Sequence, residues 1–472
     1  MKEQAAGLYA GKLAENGLIA IAFDASYQGQ STGLPRQLET PYIRTEDISA
    51  VIDHLTTLPY VDASRIGAMG ICAGGGYAAN AAINDRRIKA VGTVSAVNIG
   101  QMFRNGWENT AKDTDAVGYI EFGSQARTAD AGRPEPATLP LAPMREEDAP
   151  NLRAIKHWNF YHDHYHEGRH LPQPGLGNRR RPLPATQLRR RQGVPRHRQH
   201  PPHGQLQRAD RGQRLCQEAG PGRLSSCWCT TRASRAPAAA CRASLRIRRS
   251  ASPTSASPWT TCSRCPSWMP ARIGAIGVCG GGAYTVRTGI TDHRIKALAS
   301  ITGVNYGRLI REGFADFKPL EFIENMAKMR TAEAQGGARH MVDLLPASIE
   351  AARQSGTTDI DVLEATEYYK TACGRQPGSA TSQLMSFSSA AMGWDAFLNA
   401  ETLLTQPLLV VIGSKPGAFG AYRDGWEIYG RAASRRKEIV VAEGWSHYDL
   451  YDKPEPVAIA MAKVVPFFKE TL

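Results

Sequence analysis

No stretch of this chain is apolar for long enough to cross a bilayer as a helix. Lysine is absent from residues 171–271, where arginine occurs 19 times. That segment holds one aspartate (Asp210) and one glutamate (Glu218), a local net charge of +17. The whole chain carries +13, so everything outside the segment is mildly acidic, at −4. The basic total therefore does not mark the rest of the chain as a binder of nucleic acid. Cysteine is scarce outside the segment as well. Six of the nine lie inside it, leaving Cys72, Cys279 and Cys373. Cys262-Ser-Arg-Cys265 has no second pair at zinc-ligand spacing, so no metal is expected there. The histidines His157, His162, His164, His166 and His170 fall where the chain's regular pattern breaks, and a metal is not expected on them either. No Gly-x-Gly-x-x-Gly opens a helix with an acidic partner downstream, which excludes a dinucleotide fingerprint; no cofactor is expected. The first residues, MKEQAAGLYAGKLAENG, read as an amphipathic helix and not as a secretory signal, and a cytoplasmic location is expected.

What the chain does have is one motif written twice. RIGAMGICAGGGYAANAAINDRRIKAVGTVSAVNIG begins at Arg65, and RIGAIGVCGGGAYTVRTGITDHRIKALASITGVNYG begins at Arg272. Each is a short apolar run, a Gly-x-Cys-x-Gly turn, a helix of small residues and a second apolar run. The two cysteines are 207 residues apart. The segment between the copies shows neither a helical nor a strand period.

Arginine without lysine is what GC-rich codons give in a wrong reading frame. Five codon junctions, from Cys227–Trp228 to Met269–Pro270, force Leu, Val, Asp, Asp and Ala in the shifted frame. At the offset of the two cysteines, the first copy has Ile21, Ala22, Asp53, Asp62 and Ala63. The junctions of residues 230–243 also permit a close match to FDASYQGQSTGLPR, which begins at Phe23. The segment thus reads as an out-of-frame or wrongly spliced start of the second copy. The rival reading is a natural basic linker that neutralises nucleic-acid phosphates; it does not explain the register match. On either reading the segment was not selected to bury a core and is expected to be disordered.

The first copy predicts a helix over 2–16, a strand over 18–24, a helix capped by Thr45, and a strand over 65–71 ending at Cys72. A helix over 74–82 and a strand over 88–95 follow. The second copy predicts a cap region over 305–373, a strand over 407–414, a helix over 422–433, a strand over 437–443, the turn GWSHYDLYD and a closing helix. Three parts are expected: 1–165, an incomplete first copy; 166–271, the basic segment; and 272–472, carrying the second turn, the cap and a late histidine.

The paired turns GICAGGGY and GVCGGGAY, with FDASYQGQSTGLPR and GWSHYDLYD, resemble the dienelactone-hydrolase-like group of α/β-hydrolases, which includes fungal polyketide-transferase-type members. The resemblance covers most of 1–165 and 272–472. It implies a mostly parallel sheet flanked by helices, here in two incomplete copies. It also implies a nucleophile on a strand-to-helix elbow, where the helix N-terminus favours a thiolate. On that basis Cys279 is the expected nucleophile, His447 the base, and Gly280 N–H an oxyanion donor. Family members place an aspartate soon after the strand over 407–414, where this chain has Lys415-Pro416-Gly417-Ala418. Asp424 is the nearest candidate acid, with Glu427 and Asp449 behind it. Cys72 has no histidine in its own copy and is expected to be a relic, unless the two copies share one sheet and it borrows His447. The implied substrate is a small-molecule ester, lactone or thioester, with neither membrane nor nucleic acid as partner. A catalytically inactive relic and an acyltransferase of polyketide-transferase type are the alternatives.

Overall fold

The structure is a computed structural model that describes residues 2, 5–106, 110–131, 136, 147, 273–312, 318–375 and 381–472. The basic segment and the histidine cluster lie outside these residues. All but one of the described residues belong to one compact unit built from both ends of the chain, Met1–Ala137 and Leu224–Leu472.

The main sheet comes from the second copy. It holds β3 (Ile273–Val278), β4 (Ile295–Ile301), β7 (Leu408–Gly413) and β8 (Lys437–Ala442), in the order β3-β4-β7-β8 and parallel throughout. Alternate residues of these apolar runs face opposite sides. Leu298, Leu408, Val410 and Ile412 enter one core with Val286, Ile290 and Phe397. Ala297, Ala299, Ile301, Leu409 and Val411 enter the other, covered by Val464, Phe467 and Phe468 of the helix Pro454–Thr471. Both faces are buried, which is why β7 reads as an unbroken apolar run. A short antiparallel pair, β5 (Met341–Asp343) with β6 (Ser382–Leu384), lies in the cap region.

The first copy makes a separate two-stranded parallel sheet, β1 (Gly67–Ile71) with β2 (Ala90–Val94). Its core is small: Ile52, Ile66, Ala81 and Ile88. The strand expected over 18–24 is not formed. Leu18, Ile19 and Ile21 are exposed, and the stretch has no ladder partner among the described residues. A strand needs a neighbour to satisfy its backbone groups. The helix expected to start at Thr45 runs Pro41–Leu55, with Thr40 at its N-cap and Pro41 at its first turn. Thr45 lies inside, its hydroxyl donating to the Pro41 carbonyl at 3.0 Å; proline's fixed φ suits the opening turn.

The two copies meet through helices. Ala116 of the helix Asp113–Asp130 is buried in the second copy's core, with Val117 and Ile120 packed against it. Arg330, on the helix Pro319–Ala334, reaches Glu46 and Asp53 of the first copy at 2.8 Å each. No described helix is long and apolar enough to cross a membrane.

Candidate active site

Cys279 stands between β3 and the helix Gly280–Thr291 with φ 57° and ψ −131°. Cys72 stands between β1 and the helix Ala73–Asn84 with φ 55° and ψ −124°. Left-handed backbone at a residue with a Cβ costs roughly 1–3 kcal/mol and persists only when its surroundings hold it. Here the surroundings are the same twice. Each cysteine N–H donates to the end of the next strand, Cys72 to the Val94 carbonyl and Cys279 to that of Ile301. Each cysteine carbonyl accepts two N–H groups, from Gly75 and Val97 or from Gly282 and Val304. A second positive φ follows in both, 47° at Ser95 and 43° at Thr302. A Cβ on Gly70 or Gly277 would lie 2.0 or 2.1 Å from the carbonyl oxygen of Gly74 or Gly281, so the strand and helix can approach only with glycine there. Even the buried pair behind the helix recurs, Arg87 on Asp85 at 2.7 Å and Arg294 on Asp292 at 2.5 Å.

What differs is the company each thiol keeps. Cys72 is exposed, and no histidine bonds it among the described residues. Cys279 is half-buried, and the Tyr451 hydroxyl and the Gly280 N–H both act on its thiol, favouring the thiolate. The same hydroxyl lies 3.3 Å from Nε2 of His447. His447 follows β8 in the turn before the helix Asp449–Asp452 and is buried, its ring 4.7 Å from that of Tyr448 and 6.0 Å from that of Phe419. Thiol and imidazole are thus brought together through Tyr451. The signal for Tyr451 in the sequence is its spacing of four from His447, one helical turn.

Burial pushes the Cys279 thiol up, against the pull of Tyr451 and Gly280 N–H, while the charge of Asp361 adds to the rise. Burial alone lowers the His447 imidazole to about 3.

The three carboxylates expected near His447 are engaged elsewhere. Asp424 is fully buried and held by Arg308, whose Nε lies 2.6 Å from Oδ1 and Nη2 2.9 Å from Oδ2. Oδ2 also accepts the Asn305 N–H at 2.7 Å. Glu427 pairs with Arg431 at 2.8 Å, one helical turn on. Asp449 binds Lys453 at 2.5 Å and accepts the Ser446 N–H at 2.9 Å. The carboxylate that shares a pocket with His447 is Asp361, on the helix Ile360–Lys370. Sequence reasoning passed over it because it lies in the cap region, 86 positions from the histidine, with no motif around it.

Parts of this chain are similar to known proteins. Residues 5–98, which contain the first elbow, match the dienelactone hydrolase family. The uncharacterized protein YcjY of Escherichia coli is 69% identical over 162 residues, covering 34% of this chain and 53% of YcjY. The uncharacterized protein PA2218 of Pseudomonas aeruginosa is 38% identical over 165 residues, 35% of this chain and 43% of its own length. The thiohydrolase aneE of Aspergillus aculeatus is 30% identical over 151 residues, 32% of this chain and 46% of aneE. The chain spans about half the length of these curated relatives. The crystal structure of PA2218 superposes with a TM-score of 0.40 at 24% identity, covering 45% of this chain and 65% of that one.

Proposed function

We propose that this dienelactone-hydrolase-like chain, an α/β-hydrolase in fold, cleaves a small-molecule ester, lactone or thioester with the Cys279 thiol. The observation that carries the reading is the strained elbow whose thiol is linked through Tyr451 to a buried imidazole. In this mechanism the Cys279 proton passes to the Tyr451 oxygen as the tyrosine proton passes to Nε2 of His447. The thiolate adds to the acyl carbon, and the Gly280 N–H faces the oxyanion that forms. The imidazolium then gives its proton to the leaving alcohol, thiol or ring oxygen. Water, deprotonated by the same imidazole, releases the acid. The printed name of the Aspergillus relative, a thiohydrolase, supports a thioester as one such substrate.

On this reading the chain is organised as 1–165, 166–271 and 272–472, with the middle part an out-of-frame remnant. The first copy keeps the elbow without the histidine, and Cys72 takes no part. Hydrolysis of p-nitrophenyl acetate and of an acetyl thioester by the full chain tests the assignment. Cys279→Ala should cut kcat/KM by about 10³-fold or more, and Cys72→Ala should leave it within about twofold. Equal loss from both substitutions refutes the assignment. A parent chain with no activity, and no labelling of Cys279 by an acylating probe, points instead to a relic.

A further inference from the structure

The loop after β7, Lys415 to Gly420, has no carboxylate of its own, yet it is shaped around one. The Phe419 N–H donates to Asp361 Oδ2 at 2.8 Å. A Cβ on Gly417 would lie 2.2 Å from Asp361 Cγ, so the space beside this glycine is the space the carboxyl fills. One residue on, the Ala418 N–H donates to Asp359 Oδ2 at 2.9 Å, which ties the start of the same helix to the same loop. Asp361 is 1% exposed, and its second oxygen, Oδ1, has no hydrogen-bond partner.

The pocket beside it is lined by Thr302, Asp361, Lys415 and His447, and is too narrow to admit a water molecule. Two more of its lining residues carry a buried atom without a hydrogen-bond partner, Nδ1 of His447 and Oγ1 of Thr302. Unpaired buried polar atoms each cost about 1–3 kcal/mol, and three around one dry pocket are most simply relieved by meeting one another. An imidazole that uses Nε2 towards the thiol has Nδ1–H left to donate, and a carboxylate is its strongest acceptor. Hydrogen bonds of this kind are often open in the unliganded protein and close with substrate.

We infer that Asp361 is the positioning carboxylate of the site: delivered by the cap helix Ile360–Lys370 into the Gly417 slot, it accepts Nδ1–H of His447 and fixes the tautomer that leaves Nε2 free to take a proton. The inference rests on the reading of Cys279 and His447 given above. Asp361 does not touch the substrate; it acts through the imidazole. Burial and the neighbouring Asp359 and Glu364 raise its carboxyl to about 7, against the Phe419 N–H, so it is poised near neutrality. The other titratable groups facing the pair are Lys415, Tyr448, Tyr451 and Cys279.

The test is the pH dependence of iodoacetamide alkylation at Cys279 in the full chain, read by peptide mass spectrometry beside hydrolysis of p-nitrophenyl acetate. Asp361→Asn keeps an oxygen for the Phe419 N–H. Losing its charge removes a repulsion on the thiolate, but the lost support of the imidazolium outweighs it, so the alkylation midpoint should move up by about one pH unit or more and kcat fall by about 10²-fold, with KM little changed. Gly417→Ala, which evicts the carboxyl without altering it, should move both in the same direction and reads the same contact if the asparagine variant does not fold. An unchanged midpoint in both variants, with His447→Gln still shifting it, overturns Asp361 and leaves the proposed function standing. An unchanged midpoint in His447→Gln overturns the proposed function, and this inference with it.

Discussion

The His447 imidazole lies near 3 and the Asp361 carboxyl near 7, from ordinary values of 6.5 and 3.8. Between about 4 and 6.5 the folded chain lacks a proton that unfolded His447 binds, so this group makes stability rise with pH. Over the same window folded Asp361 keeps a proton that the unfolded carboxylate has lost, so stability falls with pH. The two slopes oppose each other and largely cancel. Asp361→Asn should uncover the histidine slope, stability rising across the window by up to about 1.4 kcal/mol per pH unit relative to the parent. His447→Gln should uncover the opposite slope. Urea unfolding at several pH values checks both, and parallel curves for parent and variants would disprove the paired titration. At this scale the sequence was readable where a residue sits in a motif. Cys279 and His447 stand out because glycines and strands surround them. Asp361 does not, because the slot beside Gly417 that it fills exists only in the folded loop. The engagement of Asp424 is hidden for the same reason, since its partner Arg308 is 116 residues away.

Elements with a strong apolar pattern were read nearly to the residue, β7 above all, because an apolar run buried on both faces has one solution. The run over 18–24 has equally good strand composition and fails, since strand formation depends on a neighbour and no ladder reaches it. Contacts between copies were not legible at all. The helix Pro319–Ala334 is held to the helix Pro41–Leu55 by Arg330, which is buried, while Glu46 and Asp53 are partly open to solvent. Arg330 also stacks 4.2 Å from the centre of the Phe387 ring. Arg330→Ala should lower unfolding free energy by about 1–3 kcal/mol, the exposed acids keeping the loss below that of a fully buried pair. Chemical denaturation measures it; an unchanged midpoint would mean the ion pairs do not hold the helices together.

At the scale of the whole molecule, the described residues of the second copy are well buried and those of the first are more open. β2 pairs only with β1 among the described residues, and Val91 on β2 and Met69 on β1 are each 42% exposed. Such an edge templates association with further chains. Light scattering should show concentration-dependent association that Val91→Lys reduces; equal scattering would place the sticky surface elsewhere.

The helix Asp113–Asp130 completes the other copy's core with Ala116, Val117 and Ile120. Residues 273–472 carry every group of the candidate site, yet by themselves they would leave that core with a hole in its wall. What the first copy supplies is a buttress, and a buttress need not be covalently attached. Fragments ending near residue 131 and beginning near residue 273 should therefore find each other in solution, co-elute as one species, and restore to the second an unfolding transition it lacks alone.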